Sequence, residues 1–274
     1  MVVHLFAQCW NDEWMLPFFF RHYDGLVDRY VIYDDGSTDN SWAILQAHPR
    51  VEARRFVRAV PDSFALSEQA LSNDCWKASR GEADWVIVTD LDEHLFHPAW
   101  PAYLSRCAHD GVTAIPALGF QMVSETVPTS GQHLAEAHPV GAPWVQMMKL
   151  SIFDPAAIAE INFTPGRHRA DPQGRVCVPV TDEMLLLHYK YMGFERTHLR
   201  HQRLRQGLRR VDAERGWGHK YSWSADELRE DWDRCAGRAV DIRALGGEPA
   251  ARYPTAPWWQ KYREPLPSRG GNMP

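Results

Sequence analysis

The first 95 residues repeat one pattern four times: a short apolar run, an acidic or polar cluster, then an amphipathic stretch. Val2–Ala7, Tyr30–Tyr33, Val51–Val57 and Trp85–Thr89 are apolar runs of strand length. Helices are expected from the Asn11-Asp12-Glu13 cluster through Tyr23, over Ser41–Ala47 and over Ser67–Arg80. In the first helix Pro17 must lie in the opening turn, since it lacks an N–H to donate further along. This alternation predicts an α/β fold: a mixed, mostly parallel, Rossmann-type sheet flanked by helices. Ligands of such sheets bind at the carboxyl ends of strands. Three of those ends carry polar groups here: Asn11 and Glu13, Asp34 and Asp35, Asp90 and Asp92.

Past residue 100 the pattern loosens. Val112–Leu118, Val145–Phe153 and Met184–His188 read as strands, separated by polar loops at 121–143 and 164–173. A basic helix is expected over Thr197–Asp212, and a second over Ser224–Gly237, opened by Ser224 with Glu227 three residues later. The chain thus divides into an α/β domain (1–195), a C-terminal helical extension (196–250) and a Pro/Trp/Gly-rich tail (251–274) expected to be draped or disordered.

Composition narrows the classes of function. With 45% apolar and 24% charged residues, the chain has a globular rather than a disordered make-up. The net charge of −5 argues against a general nucleic-acid binder. One segment stands out: residues 196–220 hold seven Arg and one Lys against Asp212 and Glu214. Arg196, Arg200, Arg203 and Arg209 can share a helix face opposite Leu204, Leu208 and Val211. That face is either simply solvated or meets an anionic acceptor or an anionic membrane surface. The five widely spaced Cys form no CxxC pair, no N-terminal leader pattern is present, and no window of 18 residues is wholly apolar. A cytoplasmic protein, with at most peripheral contact at the inner face of a membrane, is the expectation. Twelve Trp lean towards a surface rich in ligand contacts.

Asp90-Leu91-Asp92 ends the strand Trp85–Thr89, where alternate carboxylates can approach one point. With phosphate oxygens they suit Mn²⁺ or Mg²⁺; the plain alternative is a solvated turn. In Tyr33-Asp34-Asp35-Gly36-Ser37-Thr38-Asp39-Asn40-Ser41, Gly36 permits a sharp turn and Asp39 or Asn40 can cap the next helix. Capping gives Asp34 and Asp35 no task, whereas a strand-end carboxylate can accept from a nucleobase or a ribose hydroxyl.

These segments together resemble a family 2-type glycosyltransferase of the GT-A fold, in its glycosyl-transferase-2-like branch. Asn11–Glu13 with Leu16-Pro17 and His22-Tyr23 is similar to the branch's opening motif. Ile32 to Ser41 matches its D-[DN]-G-S-T-D-x-S turn, and Trp85 to Glu93 its W-hhh-x-D-x-D-E segment. Lys149 to Phe153 and His188-Tyr189 are similar to later elements. The strong part covers residues 3–96. The resemblance implies a nucleotide-sugar donor (a UDP- or GDP-sugar) and a glycan, lipid or small-molecule acceptor. It implies that Asp34 binds the base and Asp35 the ribose neighbourhood, that Asn11 and Glu13 line the nucleotide pocket, and that Asp90 and Asp92 hold the metal bridging the diphosphate. His188 is a further metal or phosphate ligand, or a structural histidine. Lys149 neutralises a phosphate, or is a surface lysine.

An inverting transferase needs a carboxylate to take the acceptor's proton, and here the chain departs from the family pattern. Asp182, beside Glu183, is best placed and Glu125 next; Asp171 and Glu136 are weaker, and His168 could meet phosphate or acceptor. Two other readings compete. A haloacid-dehalogenase-type phosphatase also carries DxD after a strand, but expects Thr or Val where His94 stands. A non-catalytic interaction protein would use the Arg-rich helix. The sugar, the nucleotide, the acceptor and the oligomeric state are left open.

Overall fold

A computed structural model describes residues 1–245 and 249–263 of the chain. The apolar N-terminal run forms β1 (Val3–Cys9), buried on both faces as a central parallel strand must be. It is followed by α1 (Leu16–Tyr23), β2 (Arg29–Asp34), α2 (Ser41–Ala47), β3 (Val51–Arg55), α3 (Phe64–Asp74) and β4 (Trp85–Val88). β1 pairs in parallel with β2 and β4, and β2 with β3, so the four expected strands form one parallel block. α1 has Pro17 in its first turn and packs Leu16, Phe18, Phe19, Phe20 and Tyr23 into the core. α3 begins earlier than expected because Ser63 caps it. Asp212, 148 residues downstream, supports that cap by accepting from Ser63 Oγ (2.6 Å) and Phe64 N (2.8 Å).

β5 (Glu93–Phe96), which the sequence reading missed, follows directly on the acidic motif. Next come α4 (Trp100–His109), β6 (Ala114–Ser124), a single turn α5 (Leu134–Ala137), β7 (Val140–Pro143), β8 (Lys149–Phe153) and the short ribbon β9 (Ile158–Glu160) with β10 (Gln173–Gly174). The long polar loop expected over 121–143 therefore contains the end of β6, a helical turn and a strand. β6 changes partners along its length. Ala114–Ala117 pair antiparallel with β8, which continues to β4; beyond Pro116 the strand bonds β7 on one side and β11 (Leu185–Met192) on the other. β11 in turn runs antiparallel to β5, with His188 opposite Glu93. The sheet is thus mixed, its N-terminal block parallel and flanked by helices. Gly119, in the middle of β6, has no substitute: a Cβ there would collide with the Met147 backbone.

The C-terminal segment holds α6 (Phe194–Gly207), α7 (Arg210–Glu214), α8 (Ala225–Ala236) and β12 (Val240–Asp241). The Ser224–Glu227 capping box forms as expected. β12 adds to β7, and Leu228 and Trp232 of α8 pack on Val123 and Tyr191, so this extension is part of the same body. The expected draping or disorder of the tail is corrected for residues 251–263. Trp259 is 1% exposed, the Trp258 Nε1 donates to the Met148 carbonyl, and the Tyr253 hydroxyl donates to the Gly119 carbonyl. Residues 264–274 lie outside the described residues. Of the twelve tryptophans, Trp76, Trp85, Trp232 and Trp259 are fully buried and the other eight are partly exposed. All five cysteines are free thiols.

Candidate functional site

The ends of β1, β2 and β4 come together at one edge of the parallel block, as the strand order requires. The turn after β2 is built by Gly36 at φ +73°. Asp34 Oδ2 accepts from the amides of Gly36 (3.1 Å) and Ser37 (3.2 Å) and pairs with Arg55 Nη1 at 2.5 Å. Its Oδ1 is buried with no partner. Asp35 is paired with Arg58 at 2.6 Å. Asn11, at φ +51°, turns its Oδ1 to the amides of Thr38 (2.7 Å) and Asp39 (3.3 Å). Glu13 Oε2 accepts from the amide and side chain of Asn40, both at 2.9 Å. Asn11 and Glu13 therefore clamp two loops together.

At the end of β4 three acids and two bases interlock. Glu93 is buried, holding Lys149 Nζ at 2.5 Å and Arg167 Nη2 at 3.1 Å. Arg167, 1% exposed and at φ +55°, also reaches Asp90 Oδ1 (2.7 Å), Glu68 (3.4 Å) and the Val88 carbonyl (2.8 Å). Burial pushes the Glu93 carboxyl up, but Lys149 and Arg167 outweigh it and hold it far below the usual range. Burial dominates at Glu68, whose carboxyl is raised despite Arg167. Lys149 is thus corrected from a phosphate or surface lysine to the buried counter-ion of Glu93. Asp90, in this arrangement, is turned to Arg167.

Asp92 faces His188. The Tyr189 amide donates to the Asp92 carbonyl (2.7 Å), and His188 Nε2 stands 3.5 Å from Asp92 Oδ2. On the other side of the ring, His188 Nδ1 lies 2.7 Å from Gln121 Oε1. Gln121 Nε2 donates to the carbonyls of Met122 and His188, which fixes its amide with the oxygen towards the imidazole. His188 Nδ1 must then carry a proton. Its Nε2 presents either a lone pair or a second proton to the Asp92 carboxylate. Burial pushes the Asp92 carboxyl up, but the charge and hydrogen bond of His188, with Lys190, hold it well below the carboxylate range. With Nε2 protonated the two groups form an ion pair; with Nε2 bare they present an imidazole nitrogen and a carboxylate that suit a cation between them. Among the described residues no three His, Cys, Asp or Glu side chains converge on a point, so the protein supplies two donors there. Mg²⁺ commonly binds through one or two protein carboxylates with phosphates and water completing the shell, a pattern Asp92 and His188 can meet.

The Arg-rich helix closes this edge. Arg200 on α6 donates to the carbonyls of Trp10 (3.1 Å) and Asn11 (2.8 Å) and pairs with Asp12 at 2.6 Å. The Arg196 guanidinium lies 3.3 Å from the centre of the Trp14 ring. Burial and the neighbouring Arg200 lower its pKa to about 10, against the pull of Asp12 and Asp92. The expected common arginine face is therefore split: Arg196 and Arg200 turn inward, while Arg203 and Arg209 are exposed. Lys190 Nζ, 3.0 Å from the Tyr221 hydroxyl, adds a cation beside Asp92.

The candidate bases sit elsewhere. Asp182 is held in a fork by Arg263 (2.5 and 3.0 Å) and accepts from Trp259 Nε1 (2.8 Å). It precedes β11, six positions before His188. Glu125, just past β6, pairs with Arg229 at 2.8 Å on the surface. Asp171 pairs with Lys261, and His168 bonds the Gln146 carbonyl. None of these is hydrogen-bonded to Asp90, Asp92 or His188. Sequence reasoning missed Asp12, Glu68, Arg167 and Lys190. Only Arg167 had a signal, a basic residue in a Gly/Pro loop; the others depend on packing between distant segments.

No protein-family model matches the chain, and no curated protein does. Among solved structures it is similar to S. aureus TarS 1-349, with 10% identity and a TM-score of 0.40, covering 74% of this chain and 66% of that one. It is also similar to S. aureus TarS 1-349 in complex with UDP-GlcNAc (10% identity, TM-score 0.38, 74% of this chain and 65% of that one). The same protein in complex with UDP gives 12% identity and a TM-score of 0.36, over 57% of this chain and 48% of that one. The chain spans 29% of another S. aureus TarS structure.

Proposed function

We propose that the chain is a glycosyltransferase that moves a sugar from a nucleoside-diphosphate donor to an acceptor hydroxyl, dependent on Mn²⁺ or Mg²⁺ and inverting the anomeric centre. The observation that carries the reading is the Asp92–His188 pair, where Gln121 fixes the imidazole with Nε2 towards a strand-end carboxylate. Asp92 and His188 would hold the cation, which when bound would offset charge growing on the departing diphosphate. Arg196 and Lys190 add fixed positive charge beside it. Asp34, with one buried oxygen unpartnered, retains acceptor capacity for a base or ribose donor. Asp90 is assigned here to positioning: through Arg167 it ties the end of β4 to α3.

For the base, an exposed ion pair is worth only about 0–1 kcal/mol, so Glu125 is released from Arg229 at little cost. Asp182, 8% exposed and held in a fork by Arg263, is not. Glu125 is therefore the more easily freed of the two carboxylates, and neither is hydrogen-bonded to the Asp92–His188 pair. The phosphatase reading fares worse, because its nucleophile would be Asp90, bound to Arg167, and His94 is buried against His22 with neither ring nitrogen partnered.

The test is nucleotide release from UDP- and GDP-sugars with and without Mn²⁺. Turnover is expected to need the metal and to fall at least about a hundredfold in a folded Asp92→Asn variant. Turnover that ignores a chelator, or wild-type turnover by Asp92→Asn, would overturn the reading.

A further inference from the structure

Between α6 and the start of α8 lies an open cleft of about 670 Å³. Its walls include His198, Gln202 and Arg205 from α6, Tyr221 and Trp223 from the turn before α8, and Glu227 from its first turn. None of these residues is used by the proposed chemistry. Side chains of the cleft nevertheless contact side chains beside the strand-end site. Tyr221 forms its inner wall and accepts from Lys190 Nζ, the cation beside Asp92. Lys220 Nζ lies 4.8 Å from the centre of the Trp223 ring and 5.4 Å from that of Trp144, and Trp144 lies 5.7 Å from the His188 ring. A row of packed side chains, Trp223, Lys220, Trp144 and His188, therefore links the cleft to the strand-end site.

The lining selects among chemical classes. A lipid chain needs continuous apolar walls, and here two aromatic faces alternate with amide, imidazole, hydroxyl and charged groups. Arg205 and Glu227 are of opposite sign, so the cleft has no single-sign field for a polyanion. Flat aromatic faces beside side-chain amides suit a ring that is apolar on its C–H face and hydroxylated at its rim. We infer that this cleft is the acceptor subsite and that it takes a carbohydrate, whose ring packs on Trp223 and Tyr221 while Gln202 and Arg205 bond its hydroxyls. This rests on the transferase reading for the word acceptor, but the carbohydrate site itself does not.

Saturation-transfer NMR on the full chain with cellobiose, lactose and N,N′-diacetylchitobiose tests it directly. At least one is expected to bind, with transfer strongest to ring C–H protons. Its affinity is expected to fall about fivefold or more in Trp223→Ala, the range that aromatic packing supplies. Because Trp223 is partly packed, the double variant Gln202→Ala/Arg205→Ala, confined to exposed side chains of α6, is measured beside it and is expected to weaken the same sugar. UDP and GDP binding with Mn²⁺ is measured on the same samples and is expected to be unchanged in both variants. Binding by none of the three saccharides, or binding that neither variant weakens, would overturn the cleft assignment. Saccharide binding without any nucleotide binding would instead leave a carbohydrate site and remove the transferase reading.

Discussion

Buried imidazoles make this protein sensitive to mild acid. His201 is 2% exposed with neither ring nitrogen hydrogen-bonded, and burial lowers its pKa to about 3, with Lys190 and Lys220 adding to the effect. Burial likewise lowers His22 to about 4. An imidazole depressed in the folded state contributes stability that is complete above its ordinary value of 6.5 and is lost as pH falls through the folded value. The urea midpoint is therefore expected to drop between about pH 7 and about pH 4.5, and to drop less in His201→Phe, which has nothing to protonate. Equal drops in both proteins would contradict this. At the same scale, the sequence shows which acids stand at strand ends but not what each one faces. Asp90 and Asp92 look equivalent in the motif; packing gives the first to Arg167 and the second to His188. Lys149 looked free because its partner, Glu93, lies 56 positions away.

At the scale of elements, the parallel block was legible because buried strands and amphipathic helices write their periods directly into the chain. β5 was not, because four residues following an acidic turn give no period, and its pairing with β11 is a long-range event. The basic helix was legible in its first part only: the chain expected as one helix to Asp212 breaks at Leu208 and Arg209, which are extended. Nor was its facing legible, because Asp12, which pairs with Arg200, is 188 positions away. The loop between β9 and β10 matters for the same reason. It delivers Arg167, which joins α3, the end of β4 and β5 through Glu68, Asp90 and Glu93. Arg167→Met is expected to cost about 3–5 kcal/mol of unfolding free energy, because it strands buried carboxylates without a counter-charge. Urea titration at neutral pH measures it. A loss below about 1 kcal/mol would show that Lys149 alone suffices.

For the whole molecule, the last turns act as a fastener. Trp259 is buried and donates to Asp182, while Arg263 grips the same carboxylate and the Pro179 carbonyl. Trp259→Ala should destabilise the protein by about 3–5 kcal/mol, as for other large core truncations. A thermal melt unchanged from wild type would mean that this segment packs without supporting the domain. The sequence placed this segment in a tail because Pro and Gly density signals loops, and loops can be firmly packed when they carry aromatic anchors.

The central claim is that Asp92 and His188 make a cation-assisted nucleoside-diphosphate site at the end of the parallel block. A thermal-shift panel of UDP and GDP, each with and without Mn²⁺, tests it most directly, because a ligand that binds only the folded state raises Tm. The account predicts a rise for at least one nucleotide in the presence of Mn²⁺, little or none without the metal, and none in Asp92→Asn. No rise with any combination, or the same rise in wild type and Asp92→Asn, would contradict it.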